Sequence, residues 1–312
     1  MLTSELVRKT RMESEQVAAQ AIQQTLQPDP AETIAGYAIE VCTRPFRNVG
    51  GDYLDFVTLP DGRAILAVAD VSGKGMAAAL LSANLQALVR TLATMVPDPL
   101  DLTMRINEHL WRYTPDDRYV TAVFIVLTPS TGEITYVNAG HNPPIIWCDG
   151  TLTRLDPSGV PLGMFRRSAY ESRDARIPPG GSLLLFTDGL TDSIRSDDPD
   201  RRLCDLFRAG SVRSMADIQA LTDATMTQDD LTIMRSGSLR RLPYRVSCAT
   251  PTISYGSWMR CPVNLTSRPI GLTSPKYNLA AARFRIATRV EVARSRSVNA
   301  RPSISRMPNV SK

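Results

Sequence analysis

Histidine is nearly absent from this 312-residue chain: only His109 and His141 occur. A zinc centre built on several imidazoles is excluded by that number alone. Cysteine offers no alternative. Cys42, Cys148, Cys204, Cys248 and Cys261 are odd in number, lie far apart and include no CxxC pair. That argues against a disulfide framework and against a thiolate zinc site, and leaves a reducing, cytoplasmic setting as the expectation. No apolar run approaches the length of a membrane span, and the polar opening MLTSELVRKTRMESEQ is not a secretory signal. GxGxxG, GxxxxGK(S/T) and GxSxG are all missing, so nucleotide-fold and hydrolase-elbow readings have no foothold.

Acid is almost absent from one end of the chain. Residues 236–312 hold 14 Lys and Arg against a single acid, Glu291, for a net +13; residues 1–235 hold 22 against 30, for a net −8. The overall +5 averages two unlike parts, and the break near residue 235 reads as a domain boundary. The expected organisation is an N-terminal linker or regulatory helix over 1–30, a folded domain over 31–235 and a basic tail of low order over 236–312. The tail is rich in Ser, Arg, Pro and Thr and has no sustained period, which is the composition of a disordered segment. Its charge suits nucleic acid. It lacks interleaved stacking aromatics or a known module, so specific nucleic-acid binding is not expected.

What is present is patterned. Residues 4 to about 27 contain no Gly or Pro and many good helix formers, so they read as a helix ended by Pro28 and Pro30. Its loose apolar seam, Leu6, Val17, Ile22 and Leu26, suits packing against the domain, dimerisation or the carriage of a signal. From residue 36 the chain turns to short β-like runs, YAIEVCTR, DYLDFVTL and RAILAVADV, with the hairpin signal PDG between the last two. The stretches 75–95 and from Asp98 onward read as a pair of helices. Strands resume at YVTAVFIVLT and EITYVNAG across the turn PSTG, followed by PPIIWC, LTRL, YESRDARI and SLLLFTDG. A helical stretch near 214–226 precedes a last strand, DLTIMR. Strands in runs, interrupted by one pair of helices, predict an α+β layered sandwich.

Acids recur where these strands end. Asp52 follows Gly50 and Gly51 in VGGDYLDF, Asp70 closes an apolar strand in AVADVSGKG, and Asp188 closes another in LLLFTDGL. Asp229 and Asp230 open the final strand in QDDLTIM. A carboxylate at the end of a buried strand is costly to desolvate unless it is paired or binds a cation. Taken singly, each Gly-Asp or Asp-Gly step is an ordinary turn. Taken together, carboxylates without imidazole or thiolate suit hard cations such as Mg²⁺ or Mn²⁺.

The ordered set NVGGDYLDF, AVADVSGKGMAAALLSA, YVTAVFIVL, TYVNAGHNPPI, PLGM, LLLFTDGLTD and DDLTIM resembles the metal-dependent serine/threonine phosphatases of the protein phosphatase 2C-like class. Within that class it is most similar to the bacterial SpoIIE/RsbU branch, over about residues 15–235. The resemblance implies an αββα sandwich of two mostly antiparallel sheets flanked by helices. It implies two Mn²⁺ or Mg²⁺ ions bridged by Asp52 and Asp70. Val71 would lend a backbone carbonyl, and Asp188 and Asp229 would complete the ligands, with Asp230 a neighbour easily confused for Asp229. The chemistry implied is hydrolysis of a phosphoserine or phosphothreonine by a metal-bridging hydroxide, with Asp52 and Asp70 at its centre. The substrate implied is a phosphorylated STAS-domain anti-sigma-factor antagonist. An activator or a second copy would act through the N-terminal helix, which resembles the helix that couples sensor to catalytic domain in this branch.

Lys74 stands where many relatives carry His; it suits phosphate by charge but is a poor general acid near neutrality. His141 in AGHNPP and Arg47 beside the glycines are weaker candidates for lining a substrate site. The stretch between Asp188 and Asp229 is a compressed version of the family's. Two rival readings remain at this level: a catalytically weak signalling module with a phosphatase fold, and a nucleic-acid-associated protein acting through its tail.

Overall fold

The computed structural model describes residues 2–28, 34–46, 48–222 and 229–238. Of the expected low-order tail, residues 236–238 are described and the rest lies outside these residues. Helix α1, Leu2–Thr25, comes first, followed by strands β1, Tyr37–Arg44, β2, Tyr53–Thr58, and β3, Ala64–Val71. The helix pair is α2, Met76–Ala93, and α3, Pro99–Tyr113. Then come β4, Val120–Thr128, β5, Glu133–Ala139, β6, Ile145–Cys148, β7, Thr151–Arg154, β8, Arg173–Arg176, and β9, Ser182–Phe186. Three helices follow, α4, Asp188–Asp192, α5, Pro199–Arg208, and α6, Met215–Leu221, before the last strand, β10, Leu231–Ser238.

The strands form two five-stranded sheets in the orders β1-β10-β9-β6-β7 and β2-β3-β4-β5-β8, with every pairing within them antiparallel. Period-two alternation sorts their side chains into layers. Along β3, Ile65, Ala67 and Ala69 face a core shared with Leu85, Val89, Leu102 and Ile106 of α2 and α3. The alternate residues Ala64, Leu66 and Val68 face the other sheet, where they meet Leu183, Leu185 and Met234. The outer face of that second sheet, with Leu184, Phe186, Leu231 and Ile233, packs on Leu190, Leu203, Phe207 and Ile218 of α4 to α6. The result is the four-layered αββα sandwich.

Local chemistry explains the element ends. Asp98 accepts hydrogen bonds from the amides of Leu100 (3.0 Å) and Asp101 (2.9 Å), with Pro99 in the first turn, so α3 starts where the sequence predicts. Ser214 and Asp217 form a reciprocal capping box on α6. One expectation needs correction. By length and composition α2 is apolar enough to cross a membrane, but its Ala/Leu face is packed against the β2–β5 sheet, which accounts for its hydropathy. The closing strand β10 also continues to Ser238, past the composition break at residue 235.

Candidate metal centre

The alternation that builds the core also aims the acids. Asp70 continues the series Ala64, Leu66, Val68 on the inter-sheet face of β3, and Asp52 continues Leu54 and Phe56 of β2. On the opposite sheet, Thr232 and Asp230 continue the series of Met234, and Thr187 that of Leu183 and Leu185. At the open end of the sandwich, where apolar filling stops, the two sheets therefore present polar side chains to one another.

The acids sense each other there. Asp52 is raised well above the carboxylate range by burial and by Asp70, with Asp230 adding to the effect; the side chains of Thr232 and Thr187 pull the other way. Asp70 is raised to about 7 by burial, then by Asp188, Asp229 and Asp230, against a lowering influence from Lys74. Asp188 reaches about 6, through burial and then Asp229 and Asp192. So many carboxylates pushing one another upward is the signature of a site short of positive charge.

Thr187 and Ser82 hold Asp52 in place. The Thr187 hydroxyl donates to Asp52 Oδ2 at 2.8 Å, and the Ser82 hydroxyl donates to the Asp52 backbone carbonyl at 3.0 Å. Asp52 Oδ1 is buried and accepts no hydrogen bond. A buried carboxylate oxygen without a donor calls for a cation.

Gly50 and Gly51 leave room for these neighbours. A Cβ on Gly50 would lie 2.6 Å from Asp230 Oδ2, and one on Gly51 would lie 3.0 Å from the Val71 carbonyl. The glycines are there for close approach rather than for an unusual backbone angle, since neither has positive φ. Asp230 is a brace: its carboxylate accepts from the amides of Gly51 (2.6 Å) and Phe46 (2.8 Å). Asp229 accepts from the Asp230 amide at 2.9 Å and pairs with Lys74 Nζ at 2.7 Å. The two neighbours thus have different partners, backbone amides for Asp230 and Lys74 for Asp229.

Asp52, Asp70, Val71, Asp188, Asp229 and Lys74 thus converge at one end of the sandwich. Arg47 lies outside the described residues. His141 is buried away from solvent, and does not line the site. The Phe186 carbonyl, 3.1 Å from Nε2, can only accept, so Nε2 carries the proton and Nδ1 accepts from Thr121 at 2.9 Å. Burial holds its pKa down at about 4, against the opposing hydrogen bond to Phe186, and keeps it neutral. It is a bracket between β4 and β9.

Sequence reading missed Thr187, Ser82 and Gln23. Thr187 has a legible signal, the position just before a helix in FTDG. Gln23 has none: α1 carries it to Gly50, whose carbonyl accepts from Gln23 Nε2 at 2.7 Å and whose amide donates to Gln23 Oε1 at 3.1 Å. Among the described residues no three His, Cys, Asp or Glu side chains are gathered tightly enough to hold an ion. Asp230 is drawn to backbone amides and Asp229 to Lys74, but the orphaned Asp52 oxygen and the all-oxygen donor set fit a hard cation.

Two antiparallel sheets between helix layers, with an acidic centre at their open end, define a protein phosphatase 2C-like fold. The chain belongs to the SpoIIE family: the model for stage II sporulation protein E matches residues 60–236. Phosphoserine phosphatase RsbP of Bacillus subtilis is 30% identical over 173 residues, covering 51% of this chain and 43% of that protein. Phosphoserine phosphatase RsbU of the same organism is 27% identical, covering 58% of this chain and 54% of its own. The chain thus spans about half, or less, of the length of these relatives. The SiaA-PP2C domain of Pseudomonas aeruginosa superposes with a TM-score of 0.63 at 18% identity, over 74% of this chain and 98% of that one. RsbX in complex with magnesium does so at 0.53 and 22% identity, over 66% and 97%. These two likenesses bear on the fold.

Proposed function

We propose that this protein is a metal-dependent protein-serine/threonine phosphatase acting on a phosphorylated STAS-domain anti-sigma-factor antagonist. The observation that carries the reading is the chain of mutual electrostatic influence from Asp52 through Asp70 to Asp188 and Asp229, with Asp52 Oδ1 buried and without a hydrogen bond. The names of RsbP and RsbU support the reaction class, and the magnesium in RsbX supports a hard cation.

In this reading Asp52, Asp70, the Val71 carbonyl, Asp188 and Asp229 hold two Mn²⁺ or Mg²⁺ ions. When bound, such ions supply water activation and neutralise charge on a phosphoryl group. The chain's own residues do the rest. Thr187 and Ser82 fix Asp52, and Asp230 ties the Gly50–Gly51 loop to β10. Lys74, 40% exposed at its side chain and 5.4 Å over the Phe46 ring, stands at the rim where a phosphate would enter. Helix α1 carries regulation by an activator or a second copy, because its Gln23 grips the backbone of Gly50 directly. Residues 1–30 keep the role of regulatory helix, the catalytic domain extends from residue 31 to the end of β10 at Ser238, and the basic tail follows it.

The test is phosphate release from a phosphoserine-bearing STAS protein, with Mn²⁺ titrated to millimolar concentration and Asp70→Asn run in parallel. Turnover should rise with Mn²⁺ and fall at least about a hundredfold in the variant, the scale of losing a metal-centred contribution of several kcal/mol. Equal turnover by Asp70→Asn would remove Asp70 from the centre. No turnover by folded wild type at saturating Mn²⁺, with and without α1-binding partners, would favour a signalling module instead.

A further inference from the structure

Thr187 occupies the N-cap of α4 in extended conformation, where a threonine hydroxyl ordinarily accepts a hydrogen bond from an amide of the first helical turn. It makes no such bond. The hydroxyl oxygen instead accepts from the Thr232 amide at 3.0 Å, across to β10. With an N–H directed at that oxygen, the hydroxyl proton is left to donate, and the carboxylate oxygen Asp52 Oδ2 lies 2.8 Å away. The alternative acceptor, the Asp230 carbonyl, is longer at 3.5 Å. Thr187 is fully buried, so no water competes for the contact.

The hydroxyl therefore forms a directed relay between sheets, from the β10 amide through Thr187 to the acid of the opposite sheet. Its consequence is a choice between two oxygens that are chemically equivalent in a free carboxylate. Oδ2 is held by Thr187, and Oδ1 is buried with no hydrogen bond, although the Thr232 side chain also lies close enough to stabilise the charged carboxylate. We propose that Thr187 is a positioning residue for the metal centre: by holding Asp52 Oδ2 it fixes the carboxylate so that Oδ1 is presented to a divalent cation. This rests on the phosphatase reading above.

The test is Mn²⁺ binding by calorimetry to the full-length protein, with no substrate present, for wild type, Asp52→Asn, Thr187→Val and Thr187→Ser. Thr187→Val keeps shape and removes the hydroxyl; Thr187→Ser keeps the hydroxyl and removes a methyl. The expected result is binding by wild type, loss of at least one ion in Asp52→Asn, and affinity about 10- to 100-fold weaker in Thr187→Val, the usual effect of removing a partner behind a metal ligand. Thr187→Ser should bind close to wild type. Thermal melts of the metal-free proteins run alongside, and if Thr187→Val lacks a cooperative melt, Thr187→Ala takes its place in the same titration. Wild-type affinity in the hydroxyl-free variant would overturn the proposal, as would a Thr187→Ser as weak as Thr187→Val, since packing of the methyl would then be the cause. An absence of Mn²⁺ binding by wild type would instead overturn the metal reading itself, and the role of Thr187 with it.

Discussion

A single methyl group at residue 50 would sit inside the Asp230 carboxylate, between 2.6 and 2.9 Å from its atoms. Because that carboxylate grips the amides of Gly51 and Phe46, the clash would push out the brace that holds the loop before Asp52. Gly50→Ala should therefore lower stability by about 1–3 kcal/mol, the ordinary cost of forcing extra volume into a packed site. Urea denaturation measures it, and an unchanged midpoint would show that Asp230 moves aside freely. The acids around the brace set a pH dependence. Asp70 at about 7 and Asp188 at about 6 hold protons that their unfolded counterparts release near 4, so the metal-free protein binds more protons than its unfolded chain in that window. A cation must displace those protons. Apparent Mn²⁺ affinity should fall about tenfold per pH unit below 7 for each proton displaced from Asp70 or Asp188. Calorimetry in two buffers of different ionisation enthalpy counts the protons released, and a flat affinity from pH 8 to 6 would contradict the raised Asp70.

At the scale of elements, the strands carry the centre. His141 joins β4 through Thr121 to β9 through the Phe186 carbonyl, and it does so neutral. Its folded pKa of about 4 lies below the unfolded value near 6.5. The sign follows: the bracket's contribution is complete above pH 6.5 and is lost as pH falls toward 4, because the unfolded chain gains a proton that the buried ring refuses. His141→Asn should thus cost less stability near pH 5 than near pH 7.5, by about 2 kcal/mol. Denaturation of both proteins at the two pH values would show it; a difference independent of pH would mean that the ring is charged in the fold.

The same strands show what was legible in sequence. Unbroken apolar runs and turn residues mark β3, β9 and β10, and the two-residue period then dictates that Asp52 and Asp70 share the inter-sheet face. Asp55 is the counterexample on the same strand. It falls on the other face, where it is buried and held by Arg90 of α2 through two bonds of 2.7 Å, so it is a structural acid in the middle of the GGDYLDF motif. His141 misleads in the opposite direction, because a turn motif in sequence becomes an interior contact once two sheets close over it. Gln23 was illegible because its partner Gly50 lies 27 residues away. Thr187 was legible as a residue before a helix, but its contact with Asp52, 135 residues away, was not, since no local period records such contacts.

At the scale of the whole molecule, charge and fold draw slightly different boundaries. Composition changes sign near residue 235, and the SpoIIE match ends at residue 236. The sheet runs further. Ser236, Gly237 and Ser238 pair with Ile39, Ala38 and Tyr37, and Ser236 is fully buried. Two of them lie beside β9 as well, where Ser236 and Gly237 pair with Leu183 and Ser182. Two truncations separate the domain from the basic segment. Ending the chain after Ser238 should leave both cooperative unfolding and Mn²⁺-dependent phosphate release close to those of the full chain, because every described strand is kept. Ending it after Arg235 removes the last three pairs of β10 with β1 and its last two with β9, and exposes the edges of both strands there. A loss of roughly 1–3 kcal/mol is expected, from a few lost ladder bonds at about 1 kcal/mol each. Equal stability for the two truncations would show that β10 contributes nothing past Arg235. Failure of the longer truncation to fold would make the basic segment part of the catalytic domain, and its +13 charge would then act on the −8 domain from within rather than as an appendage.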